Sequence, residues 1–376
     1  RDKAGIMESY RRFNFDKPLL VVTLLLLVIG IVMVFSSSAV LAGVKYRQPL
    51  RFLAQQVMGA VVGLILAAVI MSVRKPFLQA PALIYGLILF SAFLLMLCFV
   101  MPSVAKTNRW IQFFGIRFQP SELAKISLVL FFAYYCEAKK DKLDEWKTLL
   151  PPMGVLVIFV VLILKEPNFS TALFVAGLSV MMLFLGGVKL RYFAFLGGIF
   201  AVLFTLYIFQ ANYRMDRIQS FVSPDRDPLG TSFQVNQSKL AVGSGGLLGV
   251  SLGQSTQKLF FLPFAHTDFI FAILGEEAGL VGTTFTLFLF FAFLWRGLAI
   301  AFRTPNPSEK LMAAGITLAV TAQALLNISV VLGLGPATGI PLPFISYGRS
   351  ALICNLAAVG ILLNISRKKG DIGVRP

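Results

Sequence analysis

Residues 261–282, FLPFAHTDFIFAILGEEAGLVG, contain side chains that can move protons at the edge of an apolar segment. His266 is the only histidine of the chain, and it is followed by Asp268 and by two glutamates inside the apolar run. Carboxylates at membrane depth are costly and persist where they are paired or functional. Partial removal from water makes a carboxylate a better base, so Asp268 is the candidate catalytic residue. Its alternative role is a helix N-cap, a place that Thr267 also fits, and Glu277 is expected in a structural ion pair.

A second constellation lies in RWIQFFGIRFQPSELAK, residues 109–125. Pro-Ser-Glu is a good helix start, and Glu122 and Lys125 are three residues apart, hence on one helix face. Two interpretations stay open: a self-satisfied ion pair within the membrane, or a role for Lys125 in holding an anionic ligand. Arg109 and Arg117 lie just outside this helix and are placed to reach phosphates.

A third constellation precedes the histidine and is rich in cations and glycine. Arg214 and Arg217 are three residues apart and predict one face of a short interfacial helix. The glycines of 243–246 can offer backbone N–H groups to an anion, although close packing of a re-entrant loop needs glycine too. Lys239 and Lys258 add positive charge to the same surface.

A fourth constellation, GPATGIPLPFISYGRSA, spans residues 335–351. Its Pro, Gly and Ser residues break helices, and broken backbone at membrane depth lines protein or water-filled cavities. Ser346 and Tyr347 are candidate polar liners. The residues predict no metal site and no cofactor, because one histidine and no cysteine pair leave only carboxylates as ligands; a divalent cation, Mg²⁺ or Mn²⁺, stays open.

The composition indicates which kind of secondary structure positions these groups. Hydrophobic residues make up 57% of the 376 residues and charged residues 14%, against about 25% charged in soluble domains. Lipid must therefore act as solvent, and the fold class is an all-α membrane protein, a polytopic bundle of about ten transmembrane helices. The predicted spans are 18–41, 52–73, 80–101, 120–136, 149–164, 170–187, 192–209, 269–302, 311–334 and 348–365. The eighth can begin as a half-buried segment near Asp268.

Charge distribution predicts the orientation. Lys and Arg concentrate in alternate loops and in both termini, which places both termini in the cytoplasm. Residues 1–17 are then a cytoplasmic segment, 18–366 the transmembrane domain and 367–376 a cytoplasmic tail. The loop 210–268, between helices 7 and 8, is large, extracytoplasmic and packed on the bundle as re-entrant or interfacial structure. The net charge of +17 favours anionic membrane lipids and not nucleic acid.

Five segments together resemble one family. RWIQFFGIRFQPSELAK, EPNFSTAL, DPLGTSFQVNQSKLAVGSGGLLGVSLGQSTQKLFFLP, HTDFIFAILGEE and GIPLPFISYG occur in the order found in the SEDS family (shape, elongation, division and sporulation), whose members include RodA and FtsW. The resemblance covers about residues 18–366 and leans towards FtsW-like members. Two positions depart from the family motifs: Phe264 stands where Glu is usual, and Arg349 where Gly is usual.

The resemblance implies a peptidoglycan glycosyltransferase that polymerises lipid II at the outer face of the bacterial cytoplasmic membrane. It implies a class B penicillin-binding protein as partner, together with other division or elongation proteins. Asp268 matches the family's essential aspartate and would deprotonate the acceptor sugar, while Glu122 and Lys125 match its intramembrane pair. The residues expected to contact substrate are Arg109, Lys125, Arg214, Arg217, Lys239, Lys258, His266 and Ser346.

Two rival functions use the same features. A lipid II flippase also needs intramembrane charge and broken helices, although a large outer loop with an isolated acid and the absence of visible inverted repeats count against it. A non-catalytic scaffold for division or elongation enzymes would tolerate substitution of Asp268.

Overall fold

The computed structural model describes residues 15–101, 108–113, 116–194, 197–198, 215, 221 and 232–367. The helices in these ranges are α1 Lys17–Tyr46, α2 Arg51–Ser72, α3 Lys75–Leu78, α4 Pro81–Val100, α5 Pro120–Ala138, α6 Trp146–Lys165, α7 Phe169–Leu185, α8 Phe233–Ser244, α9 Ile270–Arg303, α10 Pro307–Val331 and α11 Arg349–Ser366, with a 3₁₀ turn at Lys140–Lys142. Strands β1 Ile111–Phe113 and β2 Ile116–Phe118 form an antiparallel hairpin. The predicted all-α membrane architecture is confirmed.

Seven of the described helices are long and apolar enough to cross a membrane, namely α1, α2, α4, α6, α9, α10 and α11. Helix α7 is apolar but has 17 residues. Helix α5 is less apolar because it carries Glu122 and Lys125, and most of its residues are buried in the centre of the bundle. The seventh predicted span, 192–209, lies mostly outside the described residues; each of the other nine coincides with a helix.

The core of the bundle is built on large aromatic side chains from several helices. Phe132, Phe159, Phe271 and Phe293 are each almost fully buried. In lipid, helices associate through close packing, which small residues permit. Gly30 on α1 shows this, because a Cβ there would lie 2.3 Å from the backbone oxygen of Phe344. Helix α1 thus packs directly on the broken segment before α11.

Helix α9 is interrupted at Gly279, whose φ of 62° is a conformation that glycine adopts without steric cost. A Cβ at this position would lie 2.4 Å from the backbone nitrogen of Gly249. The freed backbone groups of α9 bond to the loop instead, since Leu280 N donates to Gly246 O at 2.9 Å. The loop therefore packs on the bundle, as predicted for its described part, and the buried start of α9 is a segment distinct from the rest of the helix.

The bundle has two distinct ends. At the first, which we call the Asp268 end, Tyr347 N donates to His266 O at 3.0 Å, joining the segments that precede α11 and α9. At the second, the opposite end, Asp16 N donates to Ser366 Oγ at 3.0 Å, joining the start of α1 to the end of α11. The two ends differ in the charged residues that they carry.

Candidate active site

Asp268 is partly exposed and lies directly before α9. The residue at the N-cap of α9 is Phe269, one residue after Asp268, and not Asp268 or Thr267. Its carboxylate lies beside Gly339, where a Cβ would be 3.5 Å from Oδ2. Its backbone oxygen accepts a 2.7 Å hydrogen bond from Asn327 Nδ2. The carboxylate is thus presented from a fixed backbone.

Ser346 fixes the residue next to Asp268. Its hydroxyl donates to Thr267 O at 2.6 Å and accepts from Leu342 N at 2.8 Å. The first bond ties the segment before α9 to the broken segment 335–348, and the second fixes Ser346 within that broken segment. In this structure the Ser346 hydroxyl is engaged with backbone, while its predicted contact with substrate stays a prediction.

Two glutamines of α2 extend this connection. Gln56 Nε2 donates to Ser346 O at 3.1 Å, and Gly348 N donates to Gln56 Oε1 at 3.3 Å. The Tyr347 hydroxyl donates to Gln55 Oε1. Sequence reasoning missed both glutamines. The available signal was an amide inside an apolar span, which is costly unless it is hydrogen-bonded.

The intramembrane pair is connected to the same segment. Lys125 Nζ lies 2.9 Å from Glu122 Oε2 and donates to Gln323 Oε1 at 2.6 Å. Gln323 Nε2 in turn donates to Pro341 O at 2.9 Å, and Asn327, one turn further along α10, donates to Ile340 O at 2.8 Å. The buried ion pair therefore supports the loop that carries Gly339 and Ser346. Neither amide of α10 was singled out from the sequence.

The two glutamates after Asp268 are buried and fully engaged. Glu277 Oε1 lies 2.7 Å from Lys258 Nζ and accepts from Ser36 Oγ at 2.7 Å. Glu276 accepts from Thr256 N at 2.9 Å and holds the turn before α9. The structural ion pair expected for Glu277 is confirmed. The structure uses the Lys258 ammonium in that pair, and its predicted contact with phosphate stays a prediction.

The other predicted cations have different surroundings. Arg109 is half-buried, and its Nε donates to Glu166 O at 3.2 Å. Burial raises the pKa of the Glu166 carboxyl to about 8, and the Arg109 charge opposes that shift. Lys239 is exposed on α8. Arg214 and Arg217 lie outside the described residues.

His266 is mostly buried against aromatic rings. Its ring centroid lies 4.9 Å from that of Phe52 and 5.8 Å from that of Tyr347. Burial, helped by the positive charge of Lys45, lowers the pKa of His266 to about 4. The imidazole is therefore neutral at physiological pH and contributes shape and hydrogen-bonding capacity to the site, without charge.

Three arginines surround Tyr347 at the Asp268 end. Burial raises the pKa of the Tyr347 hydroxyl, and the positive charges of Arg349, Arg117 and Arg51 oppose this rise. Arg349 is one of the two departures from the family motifs, and it packs on α2, where a Cβ at Gly59 would lie 3.4 Å from its Cγ. The departure therefore adds a cation to an already positive surface.

The other departure, Phe264, has a φ of 58° and is 60% exposed. Its backbone oxygen accepts from Thr267 N at 3.0 Å, closing the turn that leads to Asp268. A non-glycine residue in this left-handed conformation costs roughly 1–2 kcal/mol. The turn that leads to Asp268 is therefore strained at Phe264.

Comparison with known proteins decides the family. A family model described as "Cell cycle protein" and labelled FtsW, RodA and SpoVE matches residues 17–371. The chain belongs to this family. Stage V sporulation protein E of Bacillus subtilis (strain 168) is 40% identical over 357 residues, which are 94% of this chain and 97% of that protein. A "Probable peptidoglycan glycosyltransferase FtsW" of Geobacter metallireducens is 40% identical over 95% of this chain and 96% of its own length.

Solved structures agree with this family. A chain of a peptidoglycan synthase complex that coordinates polymerization and crosslinking has a TM-score of 0.76 and 29% identity, covering 94% of this chain and 98% of that one. RodA of Thermus thermophilus has a TM-score of 0.68 and 26% identity, covering 94% and 97%. The chain is thus a multi-pass membrane protein and an enzyme of the glycosyltransferase class.

Proposed function

We propose that this family member polymerises lipid II into peptidoglycan glycan strands, with Asp268 as the general base. The observation that carries the proposal is the position of Asp268, a partly exposed carboxylate on a backbone held by Ser346 and Asn327. A carboxylate that is partly exposed at this position can meet substrate from the membrane surface. Names of relatives at 40% identity support the substrate class.

The proposed step is a glycosyl transfer in which every atom is accounted for. The C4 hydroxyl of the acceptor sugar gives its proton to the Asp268 carboxylate as its oxygen attacks the anomeric carbon of the donor. The bond from that carbon to phosphate breaks, and undecaprenyl diphosphate leaves with the bonding electron pair. The neutral acid then returns its proton to solvent, since Asp268 is partly exposed.

The leaving diphosphate needs positive charge, which arginine supplies in bidentate form. Arg349, Arg117 and Arg51, from three different elements, lie around Tyr347. Tyr347 follows Ser346, whose hydroxyl bonds to Thr267 O, next to Asp268. Among the described residues, no three His, Cys, Asp or Glu side chains form a metal-binding group. A divalent cation therefore stays an open prediction, and no step of this proposal uses one.

The orientation completes the proposal. With both termini in the cytoplasm, the Asp268 end faces the outer side of the membrane, where lipid II is consumed. Residues 18–366 then form the transmembrane domain, and 210–268 the extracytoplasmic loop that carries the donor and acceptor sites.

A class B penicillin-binding protein is the proposed partner. The related chain in a complex that coordinates polymerization and crosslinking supports this assignment. Relatives named FtsW and stage V sporulation protein E support a role in division or sporulation over one in elongation. Other division proteins would assemble around this pair.

The test is polymerisation of lipid II by the purified full chain in detergent, with and without the transpeptidase partner. Glycan strands are expected from the wild type and not from Asp268→Asn. Because detergent leaves no second compartment, product formation separates a polymerase from a flippase. Full activity of Asp268→Asn would remove the base assignment, and unaffected growth of cells carrying it would favour a scaffold.

The structure gives the flippase hypothesis little support. The space beside Glu122 and Lys125 has a volume of about 20 Å³. A lipid-linked disaccharide is far larger, and the ion pair is tied to Gln323 by a 2.6 Å hydrogen bond. The intramembrane charges therefore support the bundle in this conformation.

A further inference from the structure

A large cavity lies at the opposite end of the bundle, away from Asp268. It has a volume of about 690 Å³ and lies between the starts of α1, α3 and α10 and the ends of α9 and α11. Ligand pockets range over roughly 300–1,000 Å³, so this one is large enough for a head group. Neither the catalytic proposal nor the motifs of the family account for it.

Positive charge dominates the cavity wall. Five cations line it, against the two carboxylates of Asp16 and Glu309. Both carboxylates are neutralised locally, since Asp16 pairs with Arg296 and Glu309 lies 3.4 Å from Lys75. These two pairs leave the wall with a net positive charge, to which Lys17 and Arg303 contribute.

The remaining three cations differ in what holds them. Arg367 donates to Met71 O at 2.7 Å and is fixed on the wall. Lys17 and Arg303 are exposed and make no ion pair with any residue that the structure describes. Guanidinium and ammonium groups that converge on one space are the usual ligands of phosphate.

Apolar groups on the same wall indicate what the phosphate is attached to. Phe15, Pro18 and Ile300 line the cavity beside the cations. Because the surrounding helices span the membrane, the cavity opens at the level of the lipid head groups, where anionic phospholipids attract basic residues. A head group with its glycerol and first methylenes matches both parts of this wall.

We propose that this cavity binds a phosphate-bearing anion, which is the head group of an anionic phospholipid or a soluble phosphate. The bound phosphate joins the ends of α1, α9, α10 and α11 through Lys17, Arg303 and Arg367. The site is independent of the proposed catalysis, because it lies at the other end of the bundle. The failure of one proposal therefore leaves the other untouched.

The experiment uses the full chain in nanodiscs of equimolar phosphatidylglycerol and phosphatidylcholine, followed by native mass spectrometry of the retained lipid. Phosphatidylglycerol should be enriched on the wild type. In a Lys17→Gln, Arg303→Gln double variant the enrichment should fall about tenfold or more, since each cation near the surface contributes about a kcal/mol. The matched control is Lys140→Gln, Lys142→Gln, two exposed lysines of the same end that lie outside the cavity.

A second variant tests the cavity without changing its charge. Thr304 is partly exposed on the cavity wall, and Thr304→Trp fills the space with neutral bulk. It should lower the enrichment as the double variant does, while its melting temperature in pure phosphatidylcholine nanodiscs shows whether it folds. In a separate arm, millimolar inorganic phosphate at matched ionic strength is added to the protein in detergent.

The outcomes separate the sources. Enrichment lost only in the cavity variants supports a lipid head group. A rise in melting temperature with inorganic phosphate, present in the wild type and absent in the double variant, supports a soluble phosphate. An equal loss of enrichment in the Lys140→Gln, Lys142→Gln control, or wild-type enrichment in both cavity variants, overturns the proposal.

Discussion

Two acidic sites of one segment, only eight residues apart, are used in opposite ways. Glu276 and Glu277 are each 1% exposed, and their oxygens accept bonds from Thr256, Ser36 and Lys258. Asp268 is partly exposed, and its backbone, not its carboxylate, is the group that Asn327 holds. The difference indicates how one segment can serve both stability and the proposed chemistry: the buried acids are satisfied by the fold, while the proposed base is held by its backbone and stays partly exposed.

The largest effect should come from Asp268→Asn, which removes the base and retains the shape. We expect polymerisation of lipid II to fall by roughly 10²–10⁴-fold, the usual contribution of a general base. The thermal melting temperature should stay within a degree or two of the wild type. Asp141→Asn is the matched control, because Asp141 is an exposed acid of the opposite end. A large loss of stability in Asp268→Asn would show that this carboxylate stabilises the fold, as those of Glu276 and Glu277 do.

Lys258→Met tests the other acidic site. It leaves the Glu277 carboxylate buried without its cation, and removing one partner of a buried pair costs about 3–5 kcal/mol. We expect a marked fall in melting temperature, measured on the purified protein in detergent. Lys239→Met, at an exposed lysine of α8, should change it little. If Lys258→Met retained stability and lost only activity, Lys258 would belong with Asp268 as a substrate contact.

Gln323→Leu sharpens the comparison by testing what positions Asp268. The substitution breaks the bridge from Lys125 to the Pro341 carbonyl, and leaving such groups unsatisfied costs about 1–3 kcal/mol. We expect a moderate loss of stability, with a fall in kcat larger than any change in KM, since substrate contacts remain. Thr321→Val on the same helix removes a hydroxyl bonded only within α10. Equal losses of activity in both variants would contradict a positioning role.

The smallest expected effect is on how the stability of the protein changes at acidic pH. Because the folded pKa of His266 is about 4, below its ordinary value of 6.5, the unfolded chain takes up a proton first as pH falls. His266 therefore lowers stability progressively between about pH 6.5 and pH 4 and has no such effect at neutral pH. The melting temperature of His266→Phe should fall less than that of the wild type as the pH is lowered from 7 to 4. His266 is the only histidine, so identical profiles would show that its burial has no such consequence.

Periodicity and composition predicted the elements well because lipid imposes a simple rule on every span. Nine of the predicted spans coincide with helices, and the acids Asp268, Glu122 and Glu277 were found because charge in apolar sequence is rare. The amides were missed for a physical reason. Gln56 and Gln323 bond to backbone groups of the broken segment, and such partners leave no spacing pattern.

The sequence by itself determined that this chain spans a membrane as a helical bundle, and it singled out Asp268, because hydropathy and the cost of buried charge act locally. Only the tertiary structure decided that the N-cap residue of α9 is Phe269, that Lys258 pairs with Glu277, and that Ser346 fixes the backbone beside the candidate base. These contacts join segments far apart in the chain, and their geometry exists only once the helices have packed.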